Sequence, residues 1–176
     1  MRPTAYVDHY LVLRLPDAAF VLMGFGPWAE RLRARDRDPR FAGRHFTIPP
    51  VHPDQVPDWT ASADVSIVPA PPDSLNQRLS TPNKFWESLT AGTPVVVGRE
   101  LEVMAGILAA DVLGASADGR DAAAFATALG SIVDRPAGAR AAMRERCRRV
   151  TRERYNWETT VEPYLALVAR LVPQAG

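Results

Sequence analysis

Cysteine and lysine are nearly absent from this sequence. Cys147 is the single cysteine in 176 residues, so no disulfide can form within the chain. This usage suits a reducing compartment. Lys84 is the sole lysine among 21 basic residues, the rest being arginine, and it therefore calls for an explanation of its own.

Long apolar runs and an excess of one charge are also missing. No run approaches the ~20 residues that a membrane helix needs, and the N-terminus lacks the apolar stretch of a signal peptide. The formal net charge is +1, which gives no global field toward nucleic acid or a membrane. The arginine run at residues 140–154 is interrupted by Glu145 and Glu153 and carries no interleaved aromatic, which favours a solvated helix face. We expect a cytoplasmic protein without a nucleic-acid partner.

The remaining composition fits one globular domain spanning residues 1–176, because 47% of the residues are hydrophobic. Short apolar runs alternate with amphipathic segments and end at glycine or proline. This pattern predicts an α/β protein with a Rossmann-like, doubly wound parallel sheet, followed by a helical tail from residue 119. The predicted strands are residues 19–23, 45–48, 65–68, 94–97 and 112–115. The predicted helices are residues 28–35, 55–63, 82–91, 102–110, 122–133, 137–152 and 159–171.

Ligands of such sheets bind at the carboxyl ends of the strands. The loop at residues 69–81 lies there and is long for a connection of this kind, which favours a functional role. Thr81 is placed to cap the next helix, with Pro82 at its first position and first-turn amides free for an anion.

That helix has two faces at 3.6 residues per turn. The polar arc carries Asn83, Lys84, Glu87 and Ser88, and the opposite arc carries Phe85, Trp86 and Leu89. Lys84 adds positive charge to the positive end of the helix dipole, which favours a bound diphosphate. Glu87 is placed to accept hydrogen bonds from a ribose. The alternative is an i,i+3 ion pair between Lys84 and Glu87 on a solvated face, worth only ~0.2–0.5 kcal/mol.

These residues resemble the donor site of the family 4 (group 1) glycosyltransferases, which have the GT-B fold. The similarity is to the variant "SLN-x-R-x-S-x-PNK-xx-E" that precedes an "AG-x-PVV" strand. Matching segments extend over nearly the whole chain. They are residues 22–27, 61–69, 74–87, 91–96 and 155–158.

The resemblance implies metal-independent transfer of a sugar from a nucleoside diphosphate sugar, with no other cofactor. Lys84 on the diphosphate and Glu87 on the ribose would be the catalytic residues. The implied donor-binding residues are Gly24, Gly26, Pro50, Val51, Ser74, Asn76, Arg78, Ser80, Asn83, Lys84 and Glu87. The implied partners are the nucleotide sugar and an acceptor-binding N-terminal domain, and peripheral membrane association of the full enzyme stays open.

The sequence departs from the family pattern at two places. Leu79 occupies the position where many members have a second glutamate. The chain also begins after the family's first strand and most of its first helix, and that strand is central, between the strands at 19–23 and 65–68. We therefore expect an N-terminally truncated chain that is less stable and inactive alone, and a sheet that closes the gap, recruits another segment or borrows a strand. Two alternatives stay open: a non-catalytic nucleotide- or partner-binding remnant, and a fragment of a GT-B sugar-nucleotide epimerase.

The remaining sequence patterns give weaker evidence of function. Asp36 and Asp38 form an acid-x-acid pair that we interpret as a solvated turn. The three histidines lack metal-ligand spacing, so no metal site is expected. His9 and His45 are expected to be structural, and only His52 falls in a ligand loop.

Overall fold

A computed structural model describes residue 15 and residues 17–69 and 74–171 of the chain. In this part of the chain strands and helices alternate up to the last strand, after which the chain is helical. The strands are β1 (Phe20–Met23), β2 (His45–Ile48), β3 (Ser66–Val68), β4 (Val95–Gly98) and β5 (Gly114–Ala117). The α-helices are α1 (Ala29–Asp36), α2 (Val56–Ser62), α3 (Leu75–Leu79), α4 (Asn83–Thr90), α5 (Glu102–Asp111), α6 (Ala122–Val133), α7 (Ala137–Arg154) and α8 (Trp157–Leu171). Single 3₁₀ turns occur at Pro39–Phe41 and Pro53–Gln55.

All strand pairings are parallel. β1 pairs with β2, with Phe20 opposite His45, and β4 lies between β3 and β5, with Val96 opposite Ile67 and Ala115. Parallel strands need crossover connections, and at least one helix lies between each two consecutive strands. The predicted parallel α/β class is confirmed.

The core lies on both faces of β4. Every residue of this strand is buried, and successive side chains point to opposite faces. Val95 and Val97 pack in one apolar cluster with residues of α4, α5 and α7, whereas Val96 packs in a second cluster with Phe125 and Leu129 of α6. Helices therefore cover the three-stranded part on both sides, as a doubly wound sheet requires.

The sheet is in two parts in the region that the structure describes. One holds β1 and β2 and the other β3, β4 and β5, without pairing between β1 and β3. Phe20 of β1 packs against the same apolar cluster as Ile67 of β3, which places the two parts side by side. The break lies between β1 and β3.

The two-stranded part is fastened by buried polar contacts. Asp36, at the end of α1, accepts hydrogen bonds from the amide and hydroxyl of Thr47, and one of its oxygens lies 2.6 Å from Nδ1 of His45. His45 is 1% exposed, and the rings of Phe20 and Phe41 pack against it. The structural role predicted for His45 is confirmed, but the solvated turn predicted at Asp36 is wrong because this carboxylate anchors β2.

Several element boundaries differ from the predictions by one or two residues, and one helix was not predicted. β5 begins at Gly114 instead of residue 112, because Val112 adopts a left-handed conformation (φ 54°) that ends α5. The structure adds the short helix α3, whose start is capped by the Ser74 hydroxyl. The last helix begins at Trp157 rather than at residue 159, and the amide of Thr159 donates to the side-chain oxygen of Asn156.

Candidate donor-binding edge

Helix α4 is held firmly against the sheet by its apolar side. Phe85 and Leu89 are 0% exposed and belong to the cluster beneath β4. The ring of Trp86 lies 5.0 Å from that of Phe85 and 5.0 Å from that of Tyr155 at the end of α7. The helix is thus fixed to β4 and to α7, and its opposite face is set relative to the sheet.

The polar side of α4 is open to solvent. Asn83, Lys84 and Glu87 are all exposed, and they follow directly on the segment that connects α3 to α4. Among the residues that the structure describes, Lys84 forms no ion pair, so the alternative of a Lys84 and Glu87 pair does not describe this chain. A cation at the positive end of a helix without a counter-ion is electrostatically unfavourable until an anion arrives.

Two expectations for this helix are wrong. Ser88 does not lie on the solvent face: it is 4% exposed, and its hydroxyl donates to the carbonyl of Lys84 and lies 2.8 Å from the hydroxyl of Ser66. The residue preceding the helix is Pro82, without a side-chain cap, so Thr81 does not cap it. The Ser88 contact joins α4 to β3 and helps to fix the helix that carries Lys84 and Glu87.

Helix α3 carries the predicted residues that precede α4. Ser74 accepts a hydrogen bond from the Gln77 amide, which starts the helix, and Asn76 is exposed. Ser80 is half-buried, and its amide donates to the carbonyl of Asn76. Arg78 forms an ion pair with Glu102 in the first turn of α5, and both side chains are about half exposed.

Glu102 is the residue of this edge that sequence reasoning missed. It stands one residue after the loop that follows β4, and an acidic residue in a first helical turn is an ordinary feature of helices. The sequence signal that could have revealed Glu102 is its position at the carboxyl end of β4. This strand neighbours β3, which precedes Arg78 in the chain.

The first two predicted loops lie together on the two-stranded part. The amide of Gly24, after β1, donates to the carbonyl of Ile48 at the end of β2, close to Pro50 and Val51. Gly24 and Gly26 have φ of 148° and 139°, and nothing lies within 4 Å of where a Cβ would stand. Only glycine adopts such backbone readily, and the open space allows close approach of a ligand.

The loops after β4 and β5 are also in contact. The amide of Gly119 donates to the carboxylate of Glu100, and Gly119 is buried. A hydrogen bond from the Arg120 amide is the main cause that lowers the pKa of Asp118. The structure therefore assembles the predicted site as two clusters at strand ends, one on each part of the sheet.

His52 is the remaining candidate residue from the sequence. His52 is exposed, and its ring nitrogen accepts from the Asp54 amide at a 3₁₀ turn. Within the described residues no group of histidine, cysteine, aspartate or glutamate could hold a metal ion. No helix among them has the length and apolar character needed to cross a membrane. His9 and the loop positions 70–73 lie outside the described residues.

A parallel α/β sheet covered by helices defines the fold class of this protein, and comparison with known proteins gives the family. The family model described as glycosyl transferases group 1 matches residues 8–135. The chain belongs to this glycosyltransferase family, and the resemblance drawn from its motifs is confirmed.

Two known proteins are similar to this chain. The D-inositol 3-phosphate glycosyltransferase of Acidothermus cellulolyticus is 33% identical over 141 residues, which are 78% of this chain and 29% of that protein. The crystal structure of CalG4, the calicheamicin glycosyltransferase, superposes with a TM-score of 0.45 at 19% identity. That superposition covers 90% of this chain and 45% of CalG4. The chain thus spans less than half the length of either protein.

Proposed function

We propose that this chain binds the nucleoside diphosphate of a sugar donor along the edge formed by α3 and α4, as the donor domain of a glycosyltransferase. Lys84 would bind the diphosphate and Glu87 the ribose hydroxyls. The observation that carries the proposal is the exposure of both side chains on one face of a helix whose other face is locked into the core.

The spacing along α4 supports this division of roles. Lys84 lies in the first turn, where the helix dipole and the ammonium both attract an anion. Glu87 lies three residues on, nearly one turn away, where a carboxylate can accept hydrogen bonds from paired hydroxyls. A cationic contact followed by an acidic one suits a diphosphate and the ribose attached to it.

Family membership supports the chemistry. In sugar transfer the departing diphosphate gathers negative charge, and a positioned cation stabilises that charge in the transition state. Lys84 would serve this purpose, with Arg78 as a further cation of the same edge. We further propose that the acceptor is held by a separate domain, because the matched region is 29% of the relative's length.

Calorimetric titration with UDP, GDP, ADP and dTDP tests the binding site. We expect one of the four to bind, with or without EDTA, and Lys84→Ala and Glu87→Ala each to weaken it about tenfold or more, because hydrogen bonds to charged groups are worth roughly 1.5–3 kcal/mol. Arg152→Ala and Glu153→Ala are matched controls, since these exposed charges lie on α7, and they should leave the affinity unchanged.

A second assay tests the role of the acceptor domain. The chain is incubated with the sugar conjugate of the nucleotide that binds, with water as the acceptor of the sugar, and release of free nucleotide is followed. We expect binding without transfer. Binding that both site substitutions leave untouched refutes the site, and transfer by this chain alone refutes the separate acceptor domain.

A further inference from the structure

The ion pair between Arg78 and Glu102 connects two loops of the candidate site. Arg78 belongs to the last turn of α3, which follows β3, and Glu102 to the first turn of α5, which follows β4. β3 and β4 are neighbours in the sheet. The pair therefore spans the carboxyl ends of adjacent strands, where ligands of parallel sheets bind.

The guanidinium of Arg78 donates through Nη2 to a protein carboxylate oxygen, Oε1 of Glu102. A carboxylate and a phosphate each offer the planar guanidinium of arginine a pair of oxygen acceptors. Glu102 thus stands in the place that a phosphate oxygen of the donor would take if Arg78 were to bind it. The pair is open to exchange, because the side chains are 46% and 52% exposed.

We infer that Glu102 is an internal competitor for Arg78 and sets the affinity of the site for a diphosphate. This inference rests on the proposed function. A diphosphate carries more charge than one carboxylate and displaces Glu102 from Arg78. The released carboxylate stays near the N-terminus of α5, where the helix dipole favours a negative charge.

The expected change in ligand affinity follows from the exposure of the ion pair. Solvent-exposed ion pairs are weak, so the competition lowers ligand affinity only modestly. Removing the charge of Glu102 while keeping its shape should tighten nucleoside diphosphate binding about two- to fivefold. A merely structural role would give the opposite sign, because loosening α3 from α5 would weaken binding.

Titration of the four nucleoside diphosphates into wild type, Glu102→Gln, Arg78→Ala and the double variant tests the inference. We expect Glu102→Gln to tighten binding in the wild-type background and to have no effect when Arg78 is absent. Glu100→Gln is the matched control, since this carboxylate lies at the same edge but accepts from the Gly119 amide. Its effect should be smaller than that of Glu102→Gln.

Each other result decides against the inference. Unchanged or weaker binding by Glu102→Gln overturns it while leaving the proposed function intact. Equal tightening in the Arg78→Ala background also overturns it, because the effect would then be a general one of charge. Failure of all four nucleotides to bind wild type and Glu102→Gln refutes the proposed function itself and the competition with it.

Discussion

Removing the thiol of Cys147 should change how the stability of the chain depends on pH. Cys147 is 0% exposed on α7, and its thiol donates weakly to the carbonyl of Leu113 at 3.6 Å. Burial raises the pKa of this thiol from 9.0 to about 11, although the arginines at 144, 146 and 148 act in the opposite direction. The folded chain therefore holds the neutral thiol in a range where the unfolded chain ionises.

The sign and size of this pH dependence follow from the difference between the folded and unfolded pKa of the thiol. Because the folded pKa is the raised one, the stabilisation is complete below pH 9 and is lost as pH rises toward 11. Two pKa units correspond to roughly 3 kcal/mol at about 1.36 kcal/mol per unit. Between these pH values the free energy of unfolding of wild type should fall by about that amount relative to Cys147→Ala.

Urea unfolding of both proteins at pH 8, 9, 10 and 11 measures this difference. Comparing slopes with pH removes the constant cost of the small cavity in Cys147→Ala. The comparison also cancels the contribution of Tyr155 to the pH dependence, because burial and then Asp111 raise the pKa of this side chain in both proteins. Parallel curves across the range would refute the argument. An independent check is iodoacetamide labelling at pH 8, which should be at least about 100-fold slower in the folded chain than in urea.

Two further predictions concern the core and the glycine loop. Leu89→Ala should lower the free energy of unfolding by about 2–5 kcal/mol, because Leu89 is 0% exposed. Leu79→Ala, at a 49% exposed position, should change it by less than about 1 kcal/mol. Similar values for the two variants in urea titration would contradict the packing described for α4. Gly24→Ala should destabilise by roughly 1–3 kcal/mol because its φ is 148°, and Gly106→Ala, in a helix with open space around it, should stabilise by about 0.5–1 kcal/mol in the same assay.

The sequence was sufficient to predict the order of strands and helices wherever a buried apolar run ends at a clear stop. The run at 94–97 ends at Gly98, and its strand lies within one residue of the prediction. Val112 shows the opposite case. A β-branched residue is a strand former by propensity, yet here it takes the left-handed conformation that ends α5 and moves β5 two residues on.

The placement of the candidate site residues was predictable where it depends on one helix and not where it depends on two. The exposure of Lys84 and Glu87 follows from the periodicity of α4 alone. The burial of Ser88 depends on its contact with Ser66, 22 residues away, and the partner of Arg78 lies 24 residues away in Glu102. No local pattern encodes contacts at such separations.

The separation of the sheet into two parts has a consequence for how the chain opens. β1 and β2 form a unit of their own, whereas α4 rests on the three strands beyond the break. Amides of β1 and β2 can then exchange through a partial opening that leaves Lys84 and Glu87 in place. A ligand that contacts both Gly24 and Lys84 would link the two units, so that they would unfold cooperatively.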